Sequence, residues 1–295
     1  MVLDNGTHRG LVWSDDVRAA LRESSITCLR LLHCQQGQVM AWIPSLLKLT
    51  ALHITDMHFY YDPSPLSALS SLVNLTILDV DARGNCLASD FRRIPLRDVV
   101  VSLPLTLQTL KLRGILNDVP RSLEPLTNLS KLTLDECVYM TDCSQLSALT
   151  QLRKLSVVNC RRMRNLHPVS SLTRLRALNL KCTELDDVDV GPLSTLVDLH
   201  SLCVGGWKHI LTDLRPLSSL VSLRKLDMSY TRFGERLPDL PCLTGLSEVD
   251  ISECKYLENI RALTALVGLN TLNVDHCKRL TWRSLDMRVF SNQSS

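Results

Sequence analysis

Aromatic side chains are scarce in this chain, at 4% of its 295 residues, so its interior cannot be built around rings. Long apolar runs are missing too: no stretch reaches eighteen consecutive apolar residues, and no membrane span is expected. Cysteine is plentiful, with eleven residues, but no two are spaced as C-x2-C. That removes the first requirement of zinc ribbons, RING domains and thioredoxin-type redox motifs. None of the cysteines is followed by Asp at the second place, so a C-x-D nucleophile is also excluded. The opening residues, MVLDNGTHRG, carry no apolar stretch of the secretory kind. Together with the odd cysteine count this sets the expectation of free thiols in a cytoplasmic or other reducing intracellular compartment. Asn-x-Ser/Thr triplets at Asn5, Asn74, Asn128 and Asn292 are then chance matches.

A surplus of one charge is lacking as well, since 33 basic and 30 acidic residues leave +3. Specific nucleic-acid binding wants a clustered basic domain and is not expected. No Gly-rich phosphate loop and no G-x-S-x-G elbow occurs. His53 and His58 stand five apart, while His33 adjoins Cys34 and His276 adjoins Cys277. Neighbours on a strand point to opposite faces, so neither adjacent pair makes a metal site. No metal, no cofactor and no catalytic residue is expected.

What the chain does have is a phrase of nine residues, L-x-x-L-x-L-x-x-[C/N/T]. Clear copies are LTALHITDM from Leu49, LSKLTLDEC from Leu129, LRKLSVVNC from Leu152 and LRALNLKCT from Leu175. LHSLCVGGW from Leu199, LRKLDMSYT from Leu223, LSEVDISEC from Leu246 and LNTLNVDHC from Leu269 follow. Weaker copies start at Ile26, Leu75 and Leu107. The first residues of the eleven copies are 23, 26, 32, 22, 23, 23, 24, 24, 23 and 23 apart. A second phrase precedes most copies: a triplet ladder such as LSTLVDL from Leu193 or LTALVGL from Leu263.

Two phrases locked in phase at this period resemble the leucine-rich-repeat family, over roughly residues 26–280. The cysteine-bearing variant resembles trypanosomatid leucine-rich-repeat proteins, and plant immune receptors use a similar pattern. The resemblance implies an α/β solenoid: a horseshoe with a parallel concave sheet and short helical or 3₁₀ turns on the convex side. The fourth and sixth residues of the phrase should point inward, as a strand's period of two requires, and stacked neighbours should bury them. Prolines 168, 192 and 216 precede the triplets, where a missing N–H costs nothing.

Three segments are expected. Residues 1–25 form an N-terminal cap with a short helix starting at Ser14, whose Val17, Ala20 and Leu21 cover the first repeat. Residues 26–280 form the solenoid of about eleven repeats. Residues 281–295 form a C-terminal cap and disordered tail, with Trp282, Leu285, Val289 and Phe290 (after Leu280) available as a shield. The stretched third repeat leaves residues 83–102 as an insertion of unassigned role.

Cysteine at the ninth position (Cys34, Cys137, Cys160, Cys254, Cys277) is expected to be structural. In the family this place holds an asparagine ladder that satisfies backbone groups, and a small, weakly donating thiol can take the same role. The third, fifth, seventh and eighth residues should line the concave face. There Lys111, Arg113, Lys131, Lys154 and Lys181 precede an acidic third containing Asp227, Glu248, Asp250, Glu253 and Asp275, beside Tyr230 and His276. Asp227 and Asp250 would face each other across adjacent strands at some cost in stability. Cys182, Cys203, Gly205 and Gly206 would leave a bare strand patch that a partner can approach closely.

The expected function is a non-catalytic protein-binding or scaffold module with a dipolar concave face. The alternatives are the recognition subunit of a signalling-enzyme regulator or ubiquitin-ligase complex, or the recognition fragment of a larger receptor.

Overall fold

The computed structural model describes residues 2–4, 19–20, 22–32, 43–55, 68–81, 103–114, 123–137, 140–141, 143–163, 165–183, 189–207, 211–240 and 243–281. The 83–102 insertion, His33, Cys34, His58, and the expected C-terminal shield and tail lie outside these residues, as do Asn5, Ser14, Val17 and Leu21. The chain divides into two compact units, Met1–Gln151 and Leu152–Ser295.

In the first unit six parallel strands follow one another: β1 (Val2–Asp4), β2 (Cys28–Leu32), β3 (Ala51–Thr55), β4 (Ile77–Asp81), β5 (Thr109–Arg113) and β6 (Lys131–Asp135). In the second unit six more do so: β7 (Lys154–Val158), β8 (Ala177–Asn179), β9 (Ser201–Cys203), β10 (Lys225–Asp227), β11 (Glu248–Asp250) and β12 (Thr271–Asn273). From β2 on, every strand starts at the third residue of a copy of the phrase, and neighbours pair like position with like: Leu52 with Leu78, Leu155 with Leu178. Strand β1 was not foreseen; it lies before the first copy, with Val2 opposite Arg30. The helical residues Ala19 and Ala20 are exposed, so Ala20 does not cover the first repeat.

The core of each unit is the expected one. Fourth and sixth residues such as Leu132 and Leu134, or Leu226 and Met228, are buried, as are triplet leucines such as Leu193, Leu196 and Leu199. In the last copy the same positions, Leu272 and Val274, are only half-buried. Opposite the strands the chain returns through 3₁₀ turns at Ile43–Ser45, Ala68–Ser71, Ser144–Ala148, His167–Ser171, Gly191–Thr195, Arg215–Ser219 and Arg261–Ala265. Pro168, Pro192 and Pro216 sit in the first turn of three of them. Asp189, Asp213 and Asn259 each accept the amide two residues on, from Gly191, Arg215 and Arg261 at 2.7, 2.9 and 2.9 Å, and so prepare the turn.

In four copies of the second unit the ninth residue ties its repeat to the one before by a hydrogen bond. In the second unit Trp207 Nε1 donates to the Leu180 carbonyl at 3.1 Å and Thr231 Oγ1 to that of Val204 at 3.3 Å. Cys254 and Cys277 donate through sulfur to Met228 and Ile251, at 3.5 and 3.0 Å. Each acceptor is the sixth residue one repeat back, so the thiols act as rungs. Two of the Asn-x-Ser/Thr triplets have a similar use: the Asn74 and Asn128 side-chain amides donate to the carbonyls of Leu47 and Leu105, at 2.7 and 2.9 Å.

Candidate functional site: the solvent face of the sheet

The strands come in two lengths, and the fifth residue of the phrase decides which. Where it is Asn179, Asp227, Asp250 or Asn273, its side-chain oxygen accepts the amide of the residue two further on, at 2.8–3.0 Å. Such an Asx turn bends the chain out of the extended region, and the strand ends after three residues. Cys203 takes the same place in β9, with the Gly205 amide hydrogen-bonded to its sulfur. Where the fifth residue is Arg30, His53, Lys111, Thr133 or Ser156, the strand runs on for five. Asp79 also sits in a five-residue strand, because side chains on neighbouring strands occupy its carboxylate. The Lys111 and Arg113 cations lie 3.3 Å (Nζ) and 3.0 Å (Nη1) away, and the His53 ring Nδ1 lies at 3.6 Å.

The eighth residue is left-handed in all these turns: Gly114, Glu136, Asn159, Cys182, Gly206, Tyr230, Glu253 and His276 have φ between 56° and 78°. For a residue with a side chain this costs about 1–2 kcal/mol. The return is an amide aimed at the seventh carbonyl of the next repeat, as from Tyr230 to Ser252 at 2.9 Å and from Glu253 to Asp275 at 2.8 Å. Tyr230, Glu253 and His276 therefore stand in the turns past the strand ends rather than on the sheet face.

The expected bare patch is occupied by the chain itself. Gly205 and Gly206 are turn residues, not solvent-facing strand positions. A β-carbon on Gly205 would lie 2.7 Å from the Ser229 carbonyl oxygen, and one on Gly206 2.7 Å from Cys182 Sγ. These glycines make room for the neighbouring repeats, and not for Trp207 or for a partner.

Most of the expected charges have partners within the protein. Arg113 also reaches Asp81 at 3.6 Å. Lys225 Nζ meets Glu248 at 2.7 Å. Lys181 Nζ lies 3.2 Å from Ser229 Oγ, 3.6 Å from Asp227 Oδ2 and 5.8 Å from the centre of the Tyr230 ring. Lys131 and Lys154, at the third position, are exposed, as are Asp275 and His276.

Asp227 and Asp250 do not confront each other as bare charges. Asp227 accepts the Ser229 amide and the Cys203 thiol, and Asp250 accepts the Ser252 amide and hydroxyl and the Asn273 side-chain amide. Burial pushes the Asp227 carboxyl up, but hydrogen bonds from Ser229 and Cys203 and the charge of Lys181 outweigh it and hold the group below its ordinary value. A carboxylate so used cannot be reversed harmlessly. Asp250→Asn, which keeps the accepting oxygen, should cost less than about 1 kcal/mol in a denaturant titration. Asp250→Lys should cost about 1–3 kcal/mol, by leaving the Ser252 and Asn273 donors without their acceptor.

The thiols are poised for structure rather than reactivity. Burial, assisted by Asp227, pushes Cys203 up to about 12 despite the Gly205 amide and Lys181. Burial and the neighbouring Cys277 push Cys254 up to about 12 as well. The thiolate is the nucleophile, so at pH 8 iodoacetamide should leave both unlabelled in native protein and label both after denaturation. The raised values also mean that both groups favour the folded state below pH 9 and withdraw that support between pH 9 and 12. Among the described residues no group of three or more His, Cys, Asp or Glu is placed to hold a metal ion, and no helix is long and apolar enough to cross a membrane.

The fold is shared with solved structures. An internalin, InlF from Listeria monocytogenes, superposes with a TM-score of 0.66 at 23% identity, over 90% of this chain and 79% of that one. The fold is that of the leucine-rich-repeat proteins. InlJ from the same organism, whose functional domain includes a cysteine ladder, matches with a TM-score of 0.52 at 19% identity, over 90% of this chain and 56% of its own. The LRR ectodomain of the plant membrane receptor kinase GASSHO1/SCHENGEN3 from Arabidopsis thaliana matches with a TM-score of 0.57 at 16% identity, over 89% of this chain and 34% of that one. No family model and no curated relative matches the sequence.

Proposed function

We propose that the chain is a non-catalytic protein-binding module that receives its partner on the solvent face of its sheet. One observation carries this. Parallel sheets are ordinarily covered on both faces, yet in each unit the third and fifth residues of the phrase, Ala51 excepted, stand half-buried or exposed, while the fourth residues on the opposite face are packed. An exposed sheet face held rigid by backbone ladders is preorganised, so little ordering is required when a partner docks. Solved structures of this fold are consistent with such use: the plant peptide hormone receptor RGFR1 is seen in complex with RGF2. The ninth-position cysteines support a place among the cysteine-bearing repeat proteins of the trypanosomatid kind.

A photo-crosslinking residue at Ala177 or Ser201, on the face, should give adducts with a bound protein. The same residue at Ser218 or Thr264, in the 3₁₀ turns, should not. Adducts from the turn positions alone would overturn the proposal.

A second reading, the recognition part of a larger receptor, is favoured by the match to receptor ectodomains over a fraction of their length. The two readings differ in compartment. The scaffold reading places the chain in a reducing interior, where alkylation of denatured, unreduced protein labels all eleven cysteines. A disulfide between Cys254 and Cys277 in freshly isolated protein would favour the receptor.

A further inference from the structure

Where the strands begin, the second residue of the phrase has a structural task that a hydroxyl performs. Thr50, Thr76 and Ser130 each donate to the carbonyl of the second residue one repeat back, at 3.0, 3.2 and 3.1 Å, and Ser247 does the same to Arg224 at 3.1 Å. Four consecutive copies in the second unit abandon it: Arg153, Arg176, His200 and Arg224 occupy this column, and all are exposed. Parallel strands lie about 4.8 Å apart, so the exchange gives up hydrogen bonds and collects like charge in one row. Among the described residues neither Arg153 nor Arg176 has an ion-pair partner that would offset this. His200 and Arg224 each reach only a nearby backbone carbonyl, of Asp198 at 2.7 Å and of Leu223 at 3.2 Å, and a local rule broken in successive repeats with so little internal compensation marks a functional position.

The adjoining residues narrow the ligand. Val197 and Val221 are 46% and 68% exposed, in the turns that lead directly into His200 and Arg224. Acidic side chains at this edge are few: Asp198 in one turn, and Glu248, which Lys225 already holds. No Phe, Tyr or Trp stands in these turns or at the first three positions of the six copies from Leu152 on. A single-stranded nucleic acid would need such rings for its bases to stack on.

We infer that this edge docks an extended, acidic protein segment carrying interspersed aliphatic residues. Its carboxylates meet the guanidinium forks of Arg153, Arg176 and Arg224, which suit bidentate pairing, and its aliphatic side chains cover Val197 and Val221. The surface is separate from the sheet face, and the inference stands whether or not the face binds a partner.

Fluorescence anisotropy of the full chain with a labelled peptide of four Glu-Glu-Leu triplets tests it, with a short oligouridylate as the competing probe. The peptide should bind, weaken with added salt, and lose at least about tenfold in affinity in Arg153→Glu/Arg176→Glu. Arg153→Gln/Arg176→Gln should weaken it by a smaller factor, which guards against misfolding of the reversed variant. Val197→Ser/Val221→Ser should also weaken it, and Arg261→Glu, in a 3₁₀ turn, should leave it unchanged. Absence of peptide binding, tighter binding of the oligouridylate, or an unchanged affinity in both Arg153/Arg176 variants would overturn the inference.

Discussion

Replacing Trp207 by alanine is expected to destabilise the second unit by about 3–5 kcal/mol, the largest loss of any single substitution considered for this chain. The residue occupies the ninth place of its repeat, where the other copies of the second unit have cysteine or threonine, and its side chain is 2% exposed. Its volume therefore fills space that the smaller residues leave to their neighbours, and alanine would open a cavity that rigid ladders on both sides cannot close. The indole N–H contributes less. Its acceptor, the Leu180 carbonyl, also receives the Thr183 hydroxyl at 2.8 Å and would keep a donor. Trp207→Phe should thus cost only about 1 kcal/mol. Equal losses for the two variants in urea titrations would mean that the hydrogen bond, not the packing, holds this rung.

Trp207 also shows why part of the architecture was readable from sequence. Leucine spacing is a strong signal because one wrong residue of phase would turn every buried side chain outward. That is why all strands from β2 on begin at the third residue of a copy. The ninth-position ladder was readable for a related reason: few small, weakly polar residues can sit buried beside a carbonyl.

The turns were less legible. Asn179, Asp227, Asp250 and Asn273 stand in one column, and two of them look like surface charge, although their common property is a side-chain oxygen two bonds beyond the β-carbon, within reach of the amide two residues on. Recurrence of Asx in successive repeats was the available sign of three-residue strands. The left-handed eighth residue had a weaker sign, glycine at only two of the eight described positions, because a backbone hydrogen bond holds Asn159, Tyr230 and Glu253 in the conformation too. Pairing of the expected surface charges was hidden for another reason. Asp79 belongs to a weak copy of the phrase, so its place between His53 and Lys111 on adjacent strands carried little weight.

The strand phase itself can be tested at two adjacent residues of β7. Leu155 is 1% exposed and lies opposite Leu178, while Ser156 is half-buried on the solvent face. Leu155→Ala should cost about 2–5 kcal/mol, since it removes three carbons from a core whose neighbours are fixed by hydrogen bonds along two directions. Ser156→Ala should change stability by less than about 0.5 kcal/mol, because its hydroxyl faces water and its β-carbon remains. A solenoid passes strain only to adjacent repeats, so the Leu155 loss should appear first as faster amide exchange in β7 and β8. Similar losses from the two alanine variants would place the strand one residue out of phase, and with it the face on which the proposed partner docks.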